Sequence, residues 1–180
     1  MNLSTSAVDD GPAIEPLFDP EALRTQVTAL GKRLGEDLAG EEPLLLALLG
    51  GSVIFFADLV RSIERPVRFE LIHVGYQGSD VLEIHYPLPI DVEGQSVVVV
   101  KDVVGSGVTE PYLEQQLRDR GARSVRFAAL IDRPGERKTP FELHYQAFTT
   151  AEPGVLVGYG LKHEGRYGNL PYVGRLPERT

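Results

Sequence analysis

The sequence has no cysteine, no tryptophan and a single methionine in 180 residues. Without thiols, disulfide scaffolds, thiolate zinc sites, cysteine nucleophiles and cysteine-ligated clusters are excluded, and nothing points to an oxidising compartment. Long apolar runs are also missing. The longest, Leu44 to Leu49, is strand-sized and far short of the roughly 18 residues that cross a bilayer. Basic charge is scarce and scattered, with 18 Lys and Arg against 26 Asp and Glu and a net charge of −8, whereas a nucleic-acid surface needs clustered cations. Neither nucleic acid nor membrane is expected as a partner. The opening stretch MNLSTSAVDDGPAIEP is acidic and has no apolar core, so an export signal is not expected and a cytoplasmic location is the default.

A chain of this length builds one domain and hides roughly 70% of its unfolded surface, enough for a core without staples. Residues 1 to 18 are polar and aperiodic and read as a mobile arm, leaving 19 to 180 as a single domain. Asp19 as N-cap, Pro20 and Glu21 open a helix whose apolar stripe is Leu23, Val27, Leu30, Leu34 and Leu38. Pro43 to Leu49 reads as a doubly buried strand stopped by Gly50-Gly51, with Ser52 capping a following helix that turns Val53, Phe56, Leu59 and Val60 inward. Further strands are expected at Val67–Val74, Val81–Tyr86, Ser96–Val100 and Ser124–Ile131, with a helix over Thr109–Arg120 carrying Tyr112, Leu113 and Leu117 inward. Short strands follow at Phe141–Tyr145 and Val155–Val157. Strands alternating with helices imply an α/β fold with a mainly parallel sheet covered on both faces.

In such a sheet, ligands sit beyond the carboxyl ends of the strands. The strand ending at Lys101-Asp102 leads into Val103-Val104-Gly105-Ser106-Gly107-Val108-Thr109. There the glycines let backbone N–H groups turn inward, the helix N-terminus supplies partial positive charge, and Ser106 and Thr109 add hydroxyls: a phosphate cradle. The same residues also suit a plain strand-to-helix connection. Ser106 lacks the G-x-S-x-G elbow of a hydrolase, and His73, His85, His144 and His163 show no ligand spacing.

At this segment the chain resembles the type I phosphoribosyltransferases, most closely the bacterial hypoxanthine-guanine branch. Gly51 to Leu59 is similar to that family's pyrophosphate-loop segment, and Arg120 to Val125 with Leu130 to Pro134 to the stretch leading into its purine site. Val157 to Leu161 with Asn169 to Gly174 is similar to its C-terminal hood. The resemblance implies a five-stranded, mainly parallel sheet flanked by helices, a hood drawn mainly from 132–180, and a homodimer. It also implies transfer of phosphoribosyl from phosphoribosyl pyrophosphate to a purine, with magnesium. By the same likeness Asp102 holds the ribose, and Gly105, Ser106, Gly107, Val108 and Thr109 hold the 5′-phosphate. Gly50 and Gly51 form the pyrophosphate loop, and Arg133, Val155 and Leu156 meet the purine.

Several positions depart from the family pattern. Lys101 replaces the first of two strand-end acids, and Gly105 stands where the resemblance puts a general base. Gly50 replaces a basic residue, Arg133 a lysine, Val155 an aromatic, Lys162 a magnesium-binding Asp and Gly168 an Arg. The segment around Val74 to Gly78, where the resemblance puts a flexible catalytic loop, is short. Loss of a general base costs 10²- to 10⁴-fold. The expectation is therefore a binder of phosphoribosyl pyrophosphate or a purine nucleotide with weak or altered transferase activity, and no catalytic or metal-ligating side chain is assigned. Lys101 and Lys162 weigh against magnesium. The alternative is a silent relative that binds nucleotide as a regulatory module.

Overall fold

The computed structural model describes residues 13–77, 81–85 and 90–176. In chain order the elements are β1 (Glu15–Phe18), α1 (Pro20–Asp37), β2 (Leu44–Leu48), α2 (Val53–Arg61), β3 (Arg68–Gln77), β4 (Val81–His85) and β5 (Ser96–Val104). They continue with α3 (Thr109–Asp119), β6 (Ser124–Asp132), a 3₁₀ turn at Pro134–Glu136, β7 (Tyr145–Thr149), β8 (Val155–Val157) and β9 (Val173–Leu176). The main sheet has the order β4-β3-β2-β5-β6-β7. Its five strands β3, β2, β5, β6 and β7 are parallel and β4 is antiparallel to β3. Strands β1, β9 and β8 form a small antiparallel sheet, the hood.

The middle runs of the central strands, Leu44–Leu48, Val97–Val100 and Phe127–Ile131, are wholly apolar because both faces are covered. On one face Leu45, Ala47, Val98, Val100, Ala128 and Leu130 pack with α1 and α2. On the other, Leu44, Leu46, Val97, Val99, Val125 and Phe127 pack with Leu113 and Leu117 of α3. Burying a side chain of this size stabilises by roughly 1.5–3 kcal/mol, so the sheet is a rigid platform. Because α2 follows β2 on one face and α3 follows β5 on the other, the connections leave this adjacent parallel pair toward opposite sides of the sheet, opening a crevice at their carboxyl ends.

Asp19 caps α1, its Oδ1 accepting from the Ala22 N–H at 2.8 Å, and the whole expected stripe from Leu23 to Leu38 is buried. Other expectations need correction. The last four residues of the expected arm form β1, where Glu15 pairs with Arg175 of β9; residues 1–12 lie outside the described residues. The hood is therefore built from both ends of the chain, while β7, expected within it, extends the main sheet beside β6. Phe141 and Leu143 share the alternation of a strand because they lie on the α3-side core, yet pairing begins only at Tyr145. Ser52 does not cap α2; its hydroxyl donates back to the Leu48 carbonyl. Phe55 takes the buried position expected of Val53, which is 43% exposed. Val74 to Gln77 continue β3, and Gly78, with Tyr86 and the C-terminal 177–180, lies outside the described residues. No described helix is long and apolar enough to cross a membrane.

Candidate functional site

Strand β5 runs four residues past the expected Val100, so Lys101, Asp102 and Val104 are still held in the sheet. Pairing of Val103 with Ile131 and Val104 with Asp132 carries it there. The loop Gly105–Val108 then turns directly into α3, and Gly107 takes φ +72. Among the described residues, the N–H groups of Ser106, Gly107 and Val108 have no backbone partner. Unpaired N–H groups at a helix N-terminus favour an anion. The loop is clamped from behind: Ser106 accepts through its carbonyl from the N–H groups of Lys138 at 2.8 Å and Thr139 at 3.1 Å. Arg137 donates to the Gly105 carbonyl at 2.7 Å and to Asp132, and its guanidinium lies over the Phe141 ring. A Cβ at Gly107 would stand 2.7 Å from the Thr139 carbonyl oxygen.

Lys101 does not face the crevice as an open cation. Its ammonium pairs with Glu110 in the first turn of α3, with the two side chains 14% and 1% exposed. Sequence reasoning missed Glu110; the signal was an acid at a helical position, one residue from Thr109, that the α3 register turns inward. Asp102, by contrast, faces the crevice. It accepts from the Val103 N–H at 2.8 Å, and a Cβ on Gly51 would overlap its carboxylate. The Gly50-Gly51 loop and the strand-end acid are thus brought together, and only glycine at 51 leaves room for both.

The hood closes on the same loop. Gly160 lies against the Gly51 carbonyl, Leu161 against Gly51, and the Lys162 side chain fills the space beside Gly168. Lys162 and Gly168, two of the positions that depart from the family pattern, are therefore neighbours, with Lys162 exposed. Tyr159, at φ +53, donates its hydroxyl to Asp58 on α2. Burial, then that hydrogen bond, pushes the phenol far above its ordinary value. Asp58 is half-buried and ties hood to helix. A groove of about 520 Å³ lies behind this contact, between α1, α2 and Asn169–Pro171, away from the strand ends.

Of the two residues of β8 expected to meet the purine, Val155 is 44% exposed, whereas Leu156 is packed into the main core. Arg133 is tied down: it donates to the carbonyls of Glu152 at 2.6 Å and Gly154 at 3.2 Å, and pairs with Glu136 at 2.8 Å. Its Nε is buried without a hydrogen-bond partner among the described residues. Glu136 and Arg137, both unassigned from sequence, sit in the turn after β6 that faces the Gly105–Val108 loop.

The family model of the phosphoribosyl transferase domain matches residues 15–163. The chain is 36% identical over 156 residues to the hypoxanthine-guanine phosphoribosyltransferase of Streptococcus pneumoniae, covering 84% of this chain and 86% of that protein. It is 33% identical to the enzyme of the same name from Mycobacterium tuberculosis, covering 98% and 96%. Among solved structures, a hypoxanthine-guanine phosphoribosyltransferase from Bacillus anthracis superposes with a TM-score of 0.85 at 28% identity, covering 93% of this chain and all of that one. The hypoxanthine phosphoribosyltransferase of Trypanosoma cruzi, a K68R mutant complexed with its product IMP, gives 0.84 at 26%, covering 96% and 95%.

Proposed function

This chain belongs to the phosphoribosyl transferase domain family, and from that premise we propose that it transfers phosphoribosyl from phosphoribosyl pyrophosphate to hypoxanthine or guanine. The observation that carries this reading is the juxtaposition at the ends of β2 and β5: a loop opening α3 whose N–H groups have no backbone partner among the described residues, with Asp102 beside it and Gly51 against that carboxylate.

Each part has a physical role. The 5′-phosphate is held by the N–H groups of Ser106 to Val108, the hydroxyls of Ser106 and Thr109 and the positive end of α3. Asp102 accepts a hydrogen bond from a ribose hydroxyl, and bare Gly51 lets pyrophosphate approach the β2 end closely. Val155 offers an apolar face to the purine. Lys162, exposed at the hood, places an ammonium near the departing pyrophosphate. Magnesium fits this site as an ion carried on the substrate, since it is held by one or two carboxylates plus phosphates, and Asp102 is the carboxylate placed to meet it. When bound it would neutralise charge on the leaving pyrophosphate. Lys101, drawn into its pair with Glu110, supplies no second ribose anchor, so turnover is slower than in a site with two strand-end acids.

The site is tested by adding inosine or guanosine monophosphate to isotope-labelled protein. The amide signals of Ser106, Gly107, Val108 and Thr109 should shift together, in a titration that Asp102→Asn weakens. Signals that stay fixed at saturating nucleotide contradict the assignment.

A further inference from the structure

The transfer reaction proposed above, on which this inference rests, leaves a proton to be placed. A purine N–H nitrogen forms a bond to ribose C1′, the C1′–O bond to pyrophosphate breaks with its electron pair going to the leaving oxygen, and the nitrogen must shed its proton. An acceptor is needed between the phosphate loop and the Arg133–Val155 side. Four carboxylates lie on the elements that meet at this loop, at the ends of β5 and β6, in the first turn of α3 and in the turn after β6, and three are committed. Asp102 is bonded to the Val103 N–H and packed on Gly51. Glu110 is 1% exposed and paired with Lys101. Asp132 is paired with Arg137.

Glu136 differs from all three. Its side chain is 49% exposed, and Arg133 holds Oε1 at 2.8 Å from a guanidinium that is itself anchored by two backbone carbonyls. The second oxygen, Oε2, lies 2.6 Å from where a Cβ of Gly105 would stand. No hydrogen bond to Oε2 is made among the described residues. We propose that Glu136 is the proton acceptor of this site, reaching from the turn after β6 into the space that Gly105 leaves open. Arg133 is then the positioning residue that aims Oε2, and glycine at 105 is what makes the approach possible. The N–H proton passes to Oε2 as the N–C1′ bond forms and is later released to water.

The test compares wild type, Glu136→Gln, Glu136→Asp and the double variant Glu136→Gln with Gly105→Asp. Base-dependent pyrophosphate release from phosphoribosyl pyrophosphate, magnesium and hypoxanthine is followed across pH. Glutamine keeps the length and the Arg133 contact but is a poor base, so kcat should fall about 10²- to 10⁴-fold with KM unchanged and the acid limb of the pH profile lost. Glu136→Asp should keep part of kcat. In the double variant the carboxylate returns from the β5 side, so turnover should recover, which a merely structural role of Glu136 would not produce. Wild-type kcat and pH profile in Glu136→Gln would overturn the assignment and leave the transfer reaction standing. Absence of base-dependent release from the wild type itself would overturn both.

Discussion

The ammonium of Lys101 on β5 donates to Glu110 on α3, and the second oxygen of Glu110 is buried with no hydrogen-bond partner among the described residues. The pair joins the last turns of the strand to the first turn of the helix that carries the phosphate loop. Neither residue can be changed alone without leaving a buried charge.

Lys101→Glu, which restores an acid at the strand end, would set two carboxylates against each other. Breaking a buried pair costs roughly 3–5 kcal/mol, and the added repulsion acts in the same direction. Lys101→Glu with Glu110→Leu removes the conflict. In denaturant titration the single variant should lose several kcal/mol and the double variant substantially less. Equal losses would show that the pair does not govern stability here.

Gly51→Ala places a methyl group on the Asp102 carboxylate. Asp102 must rotate away, so nucleotide affinity should fall while the melting temperature changes little, since the side chain moves into an open crevice. Calorimetric titration with guanosine monophosphate reads this. Unchanged affinity would remove Asp102 from the ribose site.

Gly107→Ala meets two obstacles: the left-handed backbone costs roughly 1–2 kcal/mol, and the new methyl group runs into the Thr139 carbonyl and the Arg137 side chain. Both loss of stability and loss of phosphate binding are expected, measured by thermal unfolding with and without nucleotide. A variant stabilised by nucleotide as strongly as wild type would contradict the cradle.

Glu41 reports on acid stability. The Ser96 hydroxyl donates to it, with Arg126 and Arg123 nearby, and these hold its carboxyl below its ordinary value of 4.5 despite partial burial. A depressed folded-state value means stability that is fully present above pH 4.5 and lost as pH falls through the lower folded value. Glu41→Gln should therefore lower stability near pH 7 and flatten the decline below pH 4.5. A decline as steep as in wild type would assign acid unfolding to other carboxylates.

Much of this architecture is legible in the sequence because its signals are local. The Asp19-Pro20 start, the apolar runs of β2 and β5 and the glycines around Ser106 each fix a turn or an element by chain geometry alone. The terminal strand β1 is not legible, because Glu15 to Phe18 has no alternation of its own and is ordered by partners far along the chain, β9 and Phe148 of β7. Glu110 and Glu136 escape for the same reason. Each matters through a partner on another element, Lys101 on β5 and the empty side of Gly105, and neither relation shows in residue spacing. Three substitutions that look like losses in the sequence, Lys101, Gly105 and Gly168, are met in the fold by Glu110, Glu136 and Lys162.

The most direct test of the proposed transferase is a phosphorus NMR time course of the purified protein with phosphoribosyl pyrophosphate, magnesium and mixed hypoxanthine and guanine, at protein concentration comparable to ligand. Growth of pyrophosphate and nucleoside monophosphate signals above a protein-free control is expected. Broadened or shifted phosphoribosyl pyrophosphate signals that persist without product would contradict the transferase and leave a nucleotide-binding relative in its place.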